Sequence, residues 1–308
     1  MKRAEILDSD LGECNNAAMK TCIVTGASGL LGREVVQELQ KNWRVVALSH
    51  KPREGYRAID LRERNQIAAL VAEVKPDAVV HLAAYREPDF CEENPAETKR
   101  LNVDSVRFFS ETLPASAQLL FVSTDYVFDG TNPPYTEASP RNPLSEYGRS
   151  KCAGEDVIAS RPNSIALRVP LLIGAGPSFK ESGFIAQMIE SLASGKPQQL
   201  DEVLVRFPCW TRDVAGAIAF LLAKKETGTF HLSGPRGGTR YAWTVEVAEL
   251  LGQSHTHLAP SNVVIPRKAG RPRNSQLSDT KLRALGFATS TDLLDVVRFV
   301  IGKFPNFQ

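Results

Sequence analysis

Tyr147 and Lys151 stand four residues apart in EYGRSK. On a helix that spacing puts them on one face, one turn from each other. A free phenol is a poor acid at neutral pH, with an unperturbed pKa of about 10. An ammonium group held beside it favours the phenolate and lowers that pKa. Such a tyrosine can give a proton to a carbonyl oxygen as a hydride arrives, or take one in reverse. Upstream, the apolar run 119–122 (LLFV) ends at Ser123 and Thr124. Hydroxyls are thereby set at the C-terminal end of a strand, where open α/β sheets bind ligands. Taken alone, Y-x-x-x-K is common by chance and describes many surface pairs. It carries weight only with a dinucleotide site upstream.

Such a site is present. The apolar stretch 21–24 (TCIV) reads as a strand and runs into TGASGLLG, after which 31–40 reads as a helix. Gly26, Gly29 and Gly32 permit a tight turn and a close approach of backbone to a pyrophosphate. The helix N-terminus offers free N–H groups and partial positive charge to the phosphates. The spacing is G-x-x-G-x-x-G, which departs from the usual G-x-G-x-x-G fingerprint. An NAD site places a carboxylate at the end of the second strand, for the ribose 2′-hydroxyl. Here that end reads Ser49, His50, Lys51, Pro52, Arg53, with no acid. A 2′-phosphate would suit Lys51 or Arg53, so the reading favours NADP (NADPH) over NAD, against the alternative of a solvated basic turn.

Together TGASGLLG, STDYVFDG and YGRSK resemble the extended short-chain dehydrogenase/reductases. Within them the chain resembles the dTDP-4-dehydrorhamnose reductases and the related regulatory beta subunits of methionine adenosyltransferase. The likeness runs from Met19 to about Phe287. STDYVFDG and RPRNSQL (271–277) mark this branch; REPD (86–89), DGTNPPY (129–135) and RFP (206–208) followed by DVA (213–215) look more like the regulatory subunits. The resemblance implies that Thr124 orients a carbonyl, with Ser123 as a rival, that Tyr147 protonates it, and that Lys151 tunes the phenol and holds the nicotinamide ribose. It carries the cofactor over to Gly26, Ser28, Gly29, Leu30, Leu31, Gly32 and His50. It extends that set to Asp60 and Leu61 on the adenine side, to Ala83, Ala84 and Tyr85 beneath the cofactor, and to Asn102 and Ser123. Asp60 reads equally as a helix N-cap. Asp125 and Tyr126, at the cleft mouth, are candidate substrate residues, their alternative being a turn with a buried aromatic, and Arg206, Arg271 and Arg273 are candidate anion contacts for a diphosphate substrate. His81, inside a strand, reads as a satisfied core histidine.

These residues need a scaffold that the remaining pattern supplies. Strands are expected at 43–49, 78–82, 165–169 and 230–232, and helices at 97–113, 145–159, 184–192, 211–224, 244–251 and 292–301. One face of a helix carries Ile67, Leu70, Val71 and Val74. The alternation predicts an α/β fold, a Rossmann-type doubly wound parallel sheet with a small C-terminal substrate-binding lobe. Residues 19–170, with 206–233 returning, are expected to hold the cofactor, and 171–205 with 234–308 to form the lobe. Residues 1–18 read as a disordered leader, with Met19 as an alternative start.

Composition excludes several classes. A net charge of +2 gives no argument for nucleic acid or a membrane surface. The 5 cysteines are scattered, odd in number and free of C-x-x-C pairs, so no zinc site or disulfide framework is suggested and a reducing cytoplasm fits. No histidines fall at metal-ligand spacing, and no apolar run reaches the ~18 residues of a membrane span. Two functions stay open. One is reduction of the 4-keto group of a nucleotide-linked sugar. The other is an NADP-binding regulatory partner of the methionine adenosyltransferase catalytic subunit; a homodimer is also left open. The tail Gly302 to Gln308 lacks the basic and aromatic run of the regulatory subunits, and favours the enzyme.

Overall fold

The computed structural model describes residues 19–305; the leader reading and the last three residues of the tail lie outside them. Seven strands form one parallel sheet. They are β1 (Thr21–Thr25), β2 (Arg44–Ser49), β3 (Arg57–Ala58), β4 (Ala78–His81), β5 (Gln118–Thr124), β6 (Ser164–Val169) and β10 (Gly228–His231). Their order is β10-β6-β5-β4-β1-β2-β3. Chain direction across the sheet therefore reverses between β1 and β4, where Thr25 registers with His81. An open α/β sheet binds its ligand at the carboxyl ends beside such a reversal.

Strands β1, β4, β5 and β6 are buried throughout, with apolar middles and polar residues at or near their ends, as a parallel sheet covered on both faces requires. One face is covered by α1 (Leu30–Leu39) and α8 (Thr211–Lys224), whose Val35, Leu39, Val214, Ile218 and Leu221 share a core with Val24, Val80 and Leu167. The other is covered by α2 (Arg64–Val74), α5 (Ser105–Thr112) and α6 (Glu146–Ala159), around Ile67, Leu70, Val106, Phe109 and Ile158.

The helix expected over 97–113 is broken into α4 (Pro95–Lys99), a π-helical turn (Arg100–Asp104) and α5. Helix α3 (Pro88–Glu93) precedes it. The wide turn carries Asn102, whose side chain accepts from Tyr85 N–H (2.8 Å) and donates to Tyr85 O (2.9 Å) and Ser150 Oγ (3.0 Å). Apolar periodicity cannot register one extra residue in a turn, and π turns gather at functional sites.

A second core, from α7 (Phe184–Ala193), α9 (Arg240–Leu251) and α11 (Leu293–Lys303), contains Ile185, Met188, Trp243, Val247, Val296 and Val300. Two short parallel pairs join it, β7 (Leu172–Ile173) with β9 (Cys209–Trp210) and β8 (Gln198–Asp201) with β11 (Leu258–Ser261). Helix α10 (Thr280–Ala284) instead packs on the sheet side, where Leu282 joins the first core.

Candidate active site

The β1–α1 turn is made of backbone that approaches backbone. Thr25 Oγ1 accepts from the N–H groups of Leu82 (3.0 Å) and Ala83 (3.1 Å) and meets His81 Nδ1 (3.2 Å), which ties the turn to the segment after β4. Gly26 has φ +61°, and a Cβ there would lie 2.9 Å from Ala83 N. At Gly32 a Cβ would lie 2.2 Å from Gly26 O. These two glycines allow chain segments to touch. Gly29 differs: its φ is −74°, it is exposed, and its Cβ would meet only Gly26 O, at 3.2 Å. The first N–H groups of α1, at Leu30, Leu31 and Gly32, have no helical carbonyl to meet. A cradle without side chains, faced by free N–H groups and the positive end of a helix, fits a pyrophosphate.

The far side of the floor is made of side chains. Ser145 caps α6 by accepting from Gly148 N–H (3.3 Å). The half-buried Tyr147 ring stands edge-on to Tyr126, with centroids 5.9 Å apart. Lys151 is 3% exposed, and its Nζ lies 4.0 Å from the centre of the Phe121 ring. The two hydroxyls ending β5 part company here. Ser123 Oγ turns into the floor and donates to Glu155 Oε1 (2.5 Å). Thr124 Oγ1 stays at the cleft, donating to Asp125 Oδ1 (3.0 Å) and accepting from Tyr126 N–H (3.2 Å). Ser275 donates to the other oxygen of Asp125.

Burial pushes the Tyr147 phenol up, and the Thr124 side chain works against that rise. Burial also brings Lys151 down to about 7, with Glu155 and Cys91 opposing. The expected lowering of the phenol by Lys151 is therefore not what this arrangement produces. The ammonium rests on Phe121 and is itself half discharged near neutrality. Burial likewise raises Asp125, with Arg206 the first group opposing it.

At the adenine end His50 lines the cleft with Ser49, Asp60, Leu61 and Arg62. Lys51 and Arg53 do not. Ser49 Oγ donates to Lys51 O (2.7 Å) and Tyr56 N–H to Arg53 O (3.1 Å), which folds that turn back on itself with both side chains exposed outside the lining. Arg62 faces the cleft in their place. Asp60 is not an N-cap, since Glu63 holds that position on α2. Asp60 accepts from Arg62 Nε (2.9 Å) and Nη2 (2.7 Å), and those bonds hold its carboxyl down at about 2. Asn102 is fully buried behind Tyr85 and supports the Ala83–Ala84–Tyr85 wall without lining the cleft.

The opposite wall is basic. Arg206 donates to Val205 O (2.8 Å) and Pro272 O (3.0 Å) and stands 5.6 Å from the Tyr126 ring. Arg271 forks onto Asp89, at 3.1 and 3.2 Å, so it bridges the lobe to α3. Arg273 is exposed and off the lining. Besides Arg33 and Arg62, the sequence reading missed Arg240 and Arg267 in the lining. Arg240 Nε is buried with no hydrogen-bond partner among the described residues. Its guanidinium pKa is lowered by burial and then by Arg267. No motif marks either residue, because each comes from a separate part of the lobe. His81 is fully buried between Thr25 and Ser105 Oγ (3.1 Å), and burial holds its pKa down at about 3.

One cleft of about 1100 Å³ thus collects Gly26, Ser28 to Gly32, His50, Asp60, Leu61, Ala83 to Tyr85, Ser123 to Tyr126, Tyr147, Lys151, Arg206 and Arg271. Among the described residues no group of three or more His, Cys, Asp or Glu could hold a metal, and no helix is long and apolar enough to cross a membrane. A family model described as the RmlD substrate binding domain matches residues 19–301. The chain is 35% identical over 285 residues to the Bos taurus methionine adenosyltransferase 2 subunit beta, covering 90% of this chain and 85% of that one. It is 32% identical to a Streptomyces antibioticus protein named "Probable dTDP-4,6-dihydroxy-2-methyloxan-3-one 4-ketoreductase", covering 90% and 92%. A solved dTDP-4-dehydrorhamnose reductase from Clostridium acetobutylicum superposes with a TM-score of 0.83 at 26% identity, covering 92% and 99%.

Proposed function

The chain belongs to the RmlD substrate binding domain family, and from that premise we propose that it is an NADP-dependent reductase of the 4-keto group of a nucleotide-linked sugar. The observation that carries the reading is the convergence of the glycine cradle, Thr124, Tyr147 and Lys151 on one cleft whose other wall is basic. NADPH bound there would supply the hydride. Gly26 to Gly32 would hold its pyrophosphate, with His50 and Arg62 toward the 2′-phosphate. Asp60, the carboxylate lining that end, has both oxygens on Arg62, whose Nη1 also donates to Glu97 Oε2 (3.1 Å), and is poorly placed to select a free 2′-hydroxyl.

In this reading the Thr124 hydroxyl orients the carbonyl and Tyr147 gives its oxygen a proton. A phenol raised by burial keeps that proton until negative charge develops on the oxygen. Lys151 stabilises the phenolate left behind. The second core's side of the cleft presents Arg240, on α9, and Arg267 to an anionic group of the substrate; the buried Arg240 Nε has no partner among the described residues, and an unmet buried donor is costly.

A second reading has a specific observation in its favour. The higher identity, 35%, is to a methionine adenosyltransferase 2 subunit beta, and a chain of that kind would bind NADP and dock onto a catalytic subunit with little turnover. One pair of measurements tests both. NADPH oxidation is followed with dTDP-linked 4-keto sugars, and co-purification with methionine adenosyltransferase is followed at native abundance. Turnover supports the reductase. NADPH binding and co-purification without turnover replace it with the second reading.

A further inference from the structure

The proton chemistry leaves one buried ionic cluster without a role. Tyr147, Lys151 and Glu155 sit at i, i+4 and i+8 on α6, so the carboxylate lies one turn beyond the lysine on the same face. Glu155 is 6% exposed and Arg168, on β6, is 4% exposed. Glu155 Oε1 accepts from Arg168 Nε (2.9 Å) as well as Ser123 Oγ, and Oε2 accepts from Arg168 Nη2 (2.7 Å) and Arg141 Nη1 (3.2 Å). Arg168 Nη1 meets His231 Nε2 at 3.2 Å. An arginine can only donate, so that nitrogen accepts, and the proton sits on Nδ1, facing Tyr135 O (3.2 Å). Four elements, α6, β5, β6 and β10, are joined beneath the cleft floor.

A buried ion pair seldom justifies itself by stability, because desolvation offsets most of the attraction. Its charge has a more specific destination. The charges bearing on Lys151 come from Glu155 on its own helix and Cys91 on α3, and Lys151 in turn bears on His81 of β4; Tyr147 stands one turn before it on α6, with Asp125 and Tyr126 bearing on the phenol. Burial keeps Tyr147 and Cys91 protonated and His81 unprotonated, so all three are neutral. Glu155 is the carboxyl group of that set, accepting from Arg168, Arg141 and Ser123.

We propose that Glu155, fixed by Arg168, is a positioning residue that favours the ammonium form of Lys151 against the effect of burial and holds the Ser123 hydroxyl away from the cleft, leaving Thr124 to meet the carbonyl. The inference rests on the reductase reading of Tyr147 and Lys151 and adds a group that touches neither substrate nor cofactor. Burial by itself would discharge the lysine, and a neutral lysine cannot stabilise a phenolate.

The test is a pH titration of the full chain with isotope-labelled lysine side chains, followed by NMR in the presence of NADPH, with Lys151→Met assigning the resonance. The double variant Glu155→Gln with Arg168→Met removes both charges and leaves neither of them unpaired. Its Lys151 midpoint should fall by about one pH unit or more, while Glu155→Asp should titrate like the native chain. A folded double variant with the native midpoint overturns the proposal. If the double variant does not fold, Arg141→Met removes a cation that shares Glu155, and the midpoint should rise; no rise overturns the proposal equally. Where a ketone is turned over, the high-pH limb of kcat should move with the midpoint. Failure of the native chain to bind NADPH or reduce any ketone would count against the reductase reading alone, because the titration still reports on Glu155.

Discussion

At the β1–α1 turn the cleft wall is backbone, and its defining feature is what Gly26, Gly29 and Gly32 lack. At the other end of the floor the wall is side chains from β5, α6 and the loop at Ser275, each hydroxyl or carboxylate held by another. A phosphate cradle needs N–H groups and room, which a short contiguous stretch can provide. Proton transfer needs groups whose charge is set by burial and by neighbours, and those neighbours come from distant parts of the chain. Damage at the first end should therefore appear as lost affinity, and damage at the second as lost rate.

The sharpest separation is expected from Tyr147→Phe, which removes one oxygen and keeps the ring. Loss of general acid assistance should lower kcat by ~10²–10⁴, with the Kd for NADPH changed only a few-fold. Lys151→Met should harm both kcat and Kd, because it serves both ends. A Tyr147→Phe protein with native kcat would erase the distinction.

Next in size is the contrast between two glycines. Gly29→Val should leave the Tm close to native while NADPH affinity falls roughly a hundredfold, about the worth of two charge-assisted hydrogen bonds. Its φ of −74° is one that any residue adopts. Gly32→Ala should instead lower Tm, because its Cβ would sit 2.2 Å from Gly26 O. Thermal melts and calorimetry on both variants check this; a Gly29→Val protein that still binds tightly would place the phosphates elsewhere.

His81 ties Thr25, at the β1–α1 turn, to Ser105 on α5, and its pKa is held near 3 from an ordinary 6.5. Between those values the unfolded chain binds the proton and the folded chain does not. Its stability contribution is therefore full above pH 6.5 and shrinks as pH falls. Between pH 6.5 and 5 the loss should be about 2 kcal/mol. Urea melts at the two pH values, repeated with His81→Asn, should show the native protein losing about that much more than the variant. Equal losses would mean that His81 can be charged in place.

The smallest expected effect concerns cofactor choice. His50→Ala with Arg62→Ala should narrow the NADPH-over-NADH preference about tenfold, near 1.4 kcal/mol, while Lys51→Ala with Arg53→Ala should change it little. The reverse result, read by titration with both cofactors, would return the 2′-phosphate to the turn after β2.

The backbone end was open to reading from one line of sequence, since TGASGLLG follows a strand and opens a helix. So was the helix carrying Tyr147 and Lys151, capped at Ser145. The choice between Ser123 and Thr124 was not, because it depends on Glu155 lying beneath one and Asp125 beside the other. Lys51 and Arg53 stand outside the cleft lining for a related reason. Their charge is suitable, but a turn closed by Ser49 and Tyr56 decides where side chains point. Arg240 and Arg267 carry no motif, since their meeting is a product of lobe packing.

By itself the sequence determined the main strands of the large sheet and most of the longer helices, the parallel alternating architecture and the glycine cradle, because these follow from spacing over a few residues, where backbone geometry is local. The protonation states of Tyr147, Lys151, Asp125 and His81, and the basic wall facing them, were decided only by tertiary structure. Burial and the field of neighbouring charges depend on which distant segments are packed together, and no spacing along the chain encodes a dielectric.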